Sequence, residues 1–72
     1  MKKRSFSIAG HRTSVALEPE FWTALQALAR DERLPLSAMV ARVDEARGKR
    51  NLASALRVHV LMRALGNARP SF

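Results

Sequence analysis

Between Ser5 and Leu17 apolar and polar positions alternate with period two in two stretches, and from Pro19 onward the pattern switches to a helical period. In Arg12-Thr13-Ser14-Val15-Ala16-Leu17, the residues Thr13, Val15 and Leu17 fall on one side of an extended chain. Arg12, Ser14 and Ala16 fall on the other. The segment therefore predicts a short strand with one side for a core and one free to meet a partner. Upstream, Phe6 and Ile8 alternate with Ser5 and Ser7, and Gly10 suits a turn. These two stretches fit either a hairpin or a loose arm before one strand. The preferred reading is a basic arm over residues 1–11 carrying a short or frayed first strand. A lone strand leaves backbone groups without partners. A second copy of the same strand from another subunit would supply them, and a two-stranded ribbon with a basic, polar outer side fits the DNA major groove.

A first helix is predicted from Pro19, since proline at the first helical position sacrifices no needed N–H. Glu18 and Glu20 put negative charge at the positive end of its dipole. Phe21, Leu25 and Leu28 form its stripe, widened by Trp22, and it should end within residues 30–33, before Leu34-Pro35. A second helix should start with Ser37 as N-cap, bury Leu36, Met39, Val40 and Val43, and stop near Gly48. Asn51 should cap a third helix over residues 52–65. Leu52, Ala55, Leu56 and Val60 make one stripe on it, and Val58, Leu61, Met62 and Leu65 another. A helix apolar over most of its circumference needs cover on most sides, which predicts packing across a dimer interface. Residues 66–72 read as a cap and a flexible tail, leaving 12–65 as the folded domain.

Seventy-two residues allow one domain, and a core this small often gains stability by oligomerising. With no cysteine, disulfides and thiolate metal ligands are excluded. The two histidines, His11 and His59, have no spaced third ligand, so neither a metal nor another cofactor is expected. His59 reads as an interface histidine. No apolar run approaches the roughly 20 residues of a membrane span, and the N-terminus is too polar for a signal peptide, which predicts a cytoplasmic protein. The formal net charge is +7, from 13 Lys and Arg against 6 Asp and Glu, and favours an anionic partner such as nucleic acid. Lys2, Lys3 and Arg4 would attract phosphates whatever the base sequence. His11, beside the strand, is a further candidate for phosphate contact, against a plain turn residue. Catalysis has no support: there is no Gly-rich phosphate loop, and Asp44 and Glu45 point about 100° apart on a helix. Trp22, beside Phe21, fits packing better than base stacking.

The order strand, helix, loop, helix resembles the ribbon-helix-helix family of DNA-binding proteins. The residues carrying the resemblance are Thr13 to Glu18 for the ribbon and helix entry, and Leu34-Pro35-Leu36-Ser37-Ala38-Met39-Val40 for the start of the second helix. Arg4-Ser5, Gly10 to Glu18, Phe21-Trp22 and Asn51 to Arg57 resemble a subgroup pattern. The resemblance implies a mainly α fold with one short β-ribbon, built as an intertwined homodimer. Its two-stranded antiparallel sheet would form between chains, and helix three would be an addition. It implies a shared core of Val15, Leu17, Phe21, Trp22, Leu25, Leu28, Val40, Val43, Leu56 and Val60. It also implies that Arg12, Ser14 and Ala16 touch base edges and that backbone amides near Ser37, Ala38 and Met39 clamp a phosphate. Ala16 departs from the usual polar character and offers only an apolar contact, such as to a thymine methyl. Pro35 stands where glycine is common.

The function expected is a nucleoid-associated transcriptional regulator, a repressor, that binds double-stranded DNA sequence-specifically. A competing expectation is a protein-interaction module, antitoxin-like or an adaptor, that grips a partner through the third helix or the tail. An exposed apolar patch on that helix would favour it. A membrane-surface role is disfavoured by the absence of a basic amphipathic stripe.

Overall fold

The computed structural model describes residues 1–68. Strand β1 (Lys2–Ile8) and strand β2 (His11–Leu17) are followed by helices α1 (Pro19–Asp31), α2 (Leu36–Ala46) and α3 (Leu52–Ala68). A two-stranded antiparallel sheet is present, but it differs from the one expected between chains: both of its strands, β1 and β2, come from one chain. The first strand is neither short nor frayed. It pairs over its whole length, from Lys2 opposite Leu17 to Ile8 opposite His11. The turn makes this pairing local. Ala9 (φ 52°) and Gly10 (φ 80°) both lie in the left-handed region, the two-residue geometry that matches the twist of a hairpin. A Cβ on Gly10 would meet nothing within 4 Å, so glycine serves there for its backbone freedom and not for space.

Alternation now decides which side is buried. Phe6, Ile8, Val15 and Leu17 form the inner side of the hairpin and enter the core. The helices meet them with Trp22, Leu25, Leu28 and Ala29 from α1, Met39, Val40 and Val43 from α2, and Leu52, Ala55 and Leu56 from α3. Leu17, Leu25, Val40 and Leu56 are wholly buried, so a single chain closes a core around one residue from each of four elements. Burial of a side chain of this size is worth roughly 1.5–3 kcal/mol. Phe21 and Val60, expected in the core, lie at its margin and are half-buried. Phe6 and Ile8 join it because β1 is a full strand.

The helix ends follow local rules with two departures. Asn51 caps α3 as expected, its Oδ1 accepting from the Ser54 amide at 2.8 Å. The N-cap of α2 is Pro35, not Ser37, which lies inside the first turn. Pro35 is extended, and its carbonyl accepts from the Ala38 and Met39 amides. At the end of α1, Arg33 adopts φ 57°, and Leu34 N–H reaches the Ala29 carbonyl at 2.8 Å while Arg33 N–H bonds that of Arg30. That pair of bonds is a Schellman stop with arginine at the position where glycine is commonest. Helix α3 continues through Gly66 to Ala68, three residues beyond its expected end. The last part of the expected tail, 69–72, lies outside the described residues.

Trp22 ties β1 to α1. Its ring packs against Phe6 with centroids 5.8 Å apart, and its Nε1 donates to the Lys2 carbonyl at 2.8 Å. Two carboxylates tie α3 to the rest: Glu32 binds Arg42 (3.2 Å) and Arg63 (2.6 Å), and Glu18 binds Arg57 (3.0 Å). Replacing Trp22 by Phe removes the indole donor and leaves the Lys2 carbonyl to solvent. We expect a loss of about 1 kcal/mol or more in denaturant unfolding, with amide exchange faster in β1 than in α2.

Candidate nucleic-acid interface

The outer side of the hairpin is built by the same alternation that buries the inner side. The pairs Lys3 with Ala16, Ser5 with Ser14 and Ser7 with Arg12 face away from the helices. Lys3, Ser5, Ser7, Arg12 and Ser14 are exposed, and Ala16 is half-buried. The Ser5 and Ser14 hydroxyls lie 3.1 Å apart, close enough for either to donate to the other. Of the three positions expected to read bases, all fall on this side, joined by Lys3 from the expected phosphate set. Ser5 and Ser7, not among the expected contacts, lie on this side as well. Their signal was their alternation with Phe6 and Ile8, but the cross-strand register is needed to set them beside Arg12 and Ser14.

The electrostatics of this surface are one-sided. Residues 1–17 contain Lys2, Lys3, Arg4 and Arg12 and no carboxylate; the first acidic residue is Glu18. Elsewhere cations and acids are mixed, and Arg42, Arg47, Arg57 and Arg63 are each ion-paired. Glu18, just past β2, is held below the usual carboxylate range by a hydrogen bond from its own backbone N–H and by Arg57, with the N-terminal amine adding to both, so it stays charged while engaged by Arg57. Among the described residues, Lys3 and Arg12 have no carboxylate within ion-pair distance. Such unpaired cations keep their charge available to an anion.

The other expected phosphate contacts are placed differently. Lys2, Arg4 and His11 belong to the helix-facing register, at its rim. The Arg4 guanidinium lies 5.4 Å from the Trp22 ring centroid, and the Gln26 amide, in the orientation that satisfies both groups, accepts from it at 3.0 and 3.2 Å. At the start of α2, the Ala38 and Met39 amides already donate to Pro35, and the Met39 side chain is buried. The Leu36 and Ser37 amides precede the first intrahelical donors, and Ser37 is exposed. The structure does not gather these groups into one site with the ribbon's outer side.

A two-stranded ribbon laid over helices with a polar, cationic outer side defines a class of small proteins that present a sheet surface to a partner. The chain matches the family model described as a ribbon-helix-helix domain over residues 1–64, and it belongs to that family. Ribbon-helix-helix domains generally bind DNA as transcription regulators. Neither a curated protein nor a solved structure gives a significant match.

A second surface runs along α3. Leu61, Met62 and Leu65 are each more than half exposed. An apolar groove of about 370 Å³ lies between α2 and α3, lined by Val43, Val58, His59 and Met62, among others. A shallower one lies between α1 and α3 beside Phe21, Val60 and Leu61. In the first groove His59 Nε2 is buried without a hydrogen-bond partner. Burial pushes the His59 pKa below its usual 6.5, Arg63 pushes it further down, and Glu32 opposes both. No three His, Cys, Asp or Glu side chains cluster to hold a metal among the described residues, and no helix there is long and apolar enough to cross a membrane.

Because the folded state binds the His59 proton less readily than the unfolded state, stability is complete above pH 6.5 and declines as pH falls below it. Glu18, whose pKa is also lowered, adds its own loss only at lower pH. Thermal unfolding followed from pH 7 to 5 should show this decline, and His59→Gln should flatten it.

Proposed function

We propose that this protein binds double-stranded DNA sequence-specifically through the outer side of its β-ribbon, set in the major groove, and acts as a transcriptional regulator, a repressor. The observation that carries this reading is the ribbon's acid-free outer side, where Lys3 and Arg12 have no ion-pair partner among the described residues and stand beside exposed serines. Adjacent strands lie about 5 Å apart, and with side chains a two-stranded ribbon fits a groove about 12 Å wide. Arg12 donates two hydrogen bonds to the O6 and N7 acceptors of a guanine, Ser14 bonds a base edge, and Ala16 contacts a thymine methyl. Lys2, Lys3, Arg4 and His11 supply attraction to phosphates along the groove. The first turn of α2 offers a backbone clamp through the Leu36 and Ser37 amides, which narrows the expected set of Ser37, Ala38 and Met39. Repression is steric: occupied DNA excludes the transcription machinery. Neither a cofactor nor a catalytic step is part of this reading, and the protein works in the cytoplasm, on the nucleoid.

The family suggests dimerisation. We assign the interface to a second copy docking on the outer apolar side of α3, through Leu61, Met62 and Leu65, since the inner stripe is already buried within one chain. That same exposed patch also favours the second reading, an antitoxin-like or adaptor protein whose α3 holds a different protein. The two readings differ in the occupant of this face.

The test is titration of a labelled duplex from the gene's own upstream region against excess random duplex at near-physiological salt. Wild-type protein should keep the specific duplex. Arg12→Ala should lose about 1–3 kcal/mol on that duplex and little on random DNA, whereas Lys3→Ala should weaken both alike. Equal losses on both duplexes for Arg12→Ala would remove its base-reading role.

A further inference from the structure

We propose that the groove between α2 and α3 is a binding site for a linear, amphipathic carboxylate whose far end carries a hydrogen-bonding group. Hairpin residues take no part in its lining, so the site stands or falls apart from DNA binding. The first support is shape. The groove holds about 370 Å³, within the roughly 300–1,000 Å³ of small-molecule sites. Its floor is the outer surface of the core, made by Met39, Val43 and Ala55, with Val58 and Met62 of α3 beside them. An apolar chain laid on such a floor is taken out of water along with the floor itself. Of the three residues assigned above to a second copy, only Met62 lines this groove.

The second support is charge. Arg47 and Arg50 stand at the end of the groove where α2 passes into α3. Arg47 is engaged: its Nε donates to Asp44 at 2.6 Å and its Nη1 to the Arg50 carbonyl at 2.6 Å. The Arg50 side chain is exposed and has no ion pair among the described residues. Glu32 is the acidic residue of the lining, and it is held by Arg42 and Arg63, the latter about three turns along α3 from its start. An anionic head at the Arg50 end therefore meets a free cation, with the nearby Asp44 already covered by Arg47.

The third support is a polar group without a task. His59 lines the groove, and its Nε2 is buried with no hydrogen-bond partner. An unpaired buried polar group is destabilising, and a ligand that pairs with it relieves that cost. Burial keeps the imidazole neutral at pH 7. A neutral imidazole suits a hydroxyl, which can donate or accept to match either tautomer. His59 lies about two turns into α3, roughly 10 Å from the Arg50 end, a distance that a medium-length chain spans. Met62, one turn further on and lining the same groove, is exposed and unbranched, so it can swing aside as the ligand enters.

The probe is ω-hydroxydecanoate, titrated below its micelle concentration into the full chain. Binding is followed by calorimetry and by the NMR signals of the His59 ring and the Met39 and Met62 methyls. Saturable binding of one molecule per chain that shifts those signals is expected. Decanoate, which lacks the hydroxyl, and decanediol, which lacks the charge, should each bind about three- to tenfold more weakly. Arg50→Ala should weaken ω-hydroxydecanoate about two- to fivefold and leave decanediol unchanged. His59→Leu should remove the advantage of ω-hydroxydecanoate over decanoate. Ala46→Phe, at an exposed position of the lining, should block the groove while the thermal unfolding midpoint is retained. Absence of saturable binding, equal binding of the three probes, or binding that survives Ala46→Phe in a folded chain would overturn the site. Binding that splits a dimer into single chains, read by sedimentation, would overturn it too and give the groove to a second copy.

Discussion

The pairing of β1 with β2 is the interaction from which the rest of this protein follows. It satisfies the backbone of a strand that would otherwise need a second subunit. It also brings Phe6 and Ile8 over the helices, beside Val15 and Leu17, and so completes a core that one chain closes alone. Small domains are marginal because they bury too little surface. Here the added strand and a third helix supply the missing apolar area, with Leu56 of α3 as fully buried as Leu25 of α1.

The same pairing makes the surface proposed to meet DNA. Side chains alternate across a sheet, so whatever fixes the buried side fixes the outer side too. A register slip of one residue would place Arg12 against the helices and Val15 in water. Trp22 guards against this from the helix side, through its bond to the Lys2 carbonyl and its contact with Phe6. Charge is divided by segment: the hairpin holds cations without acids, while Glu18, Glu32 and Asp44, at and between the first two helices, engage Arg42, Arg47, Arg57 and Arg63. The protein thus presents an anion-seeking surface at one end and an apolar one along α3.

Much of this was legible in the sequence wherever the signal was local. Pro19 marks the start of α1, Asn51 caps α3, and the alternation through residues 12–17 identifies the outer positions of β2. What was not legible depended on contacts between distant residues. Lys2-Lys3-Arg4 reads as a solvated arm, because nothing in those residues reveals that Trp22, twenty positions later, holds the Lys2 carbonyl. Ala9-Gly10 is a weak hairpin signal beside Asn-Gly, since alanine is not favoured at positive φ. Ser37 outranks Pro35 as an N-cap on side-chain chemistry, yet Pro35, in an extended conformation, starts the helix two residues sooner. Gly66 reads as a helix stop, but α3 continues through it, and a Cβ there would meet nothing. For the site, the chemistry of β2 was readable, whereas the partnership of Ser5 and Ser7 with it required the register.

Isotope-filtered nuclear Overhauser spectroscopy on a mixture of labelled and unlabelled protein tests the hairpin most directly. Cross-strand contacts between Ser5 and Ser14, and between Phe6 and Thr13, are predicted within uniformly labelled chains and absent from the filtered spectrum that reports only contacts between chains. The same contacts appearing in the filtered spectrum would mean that β1 pairs with β2 of another copy, and the single-chain ribbon would be wrong.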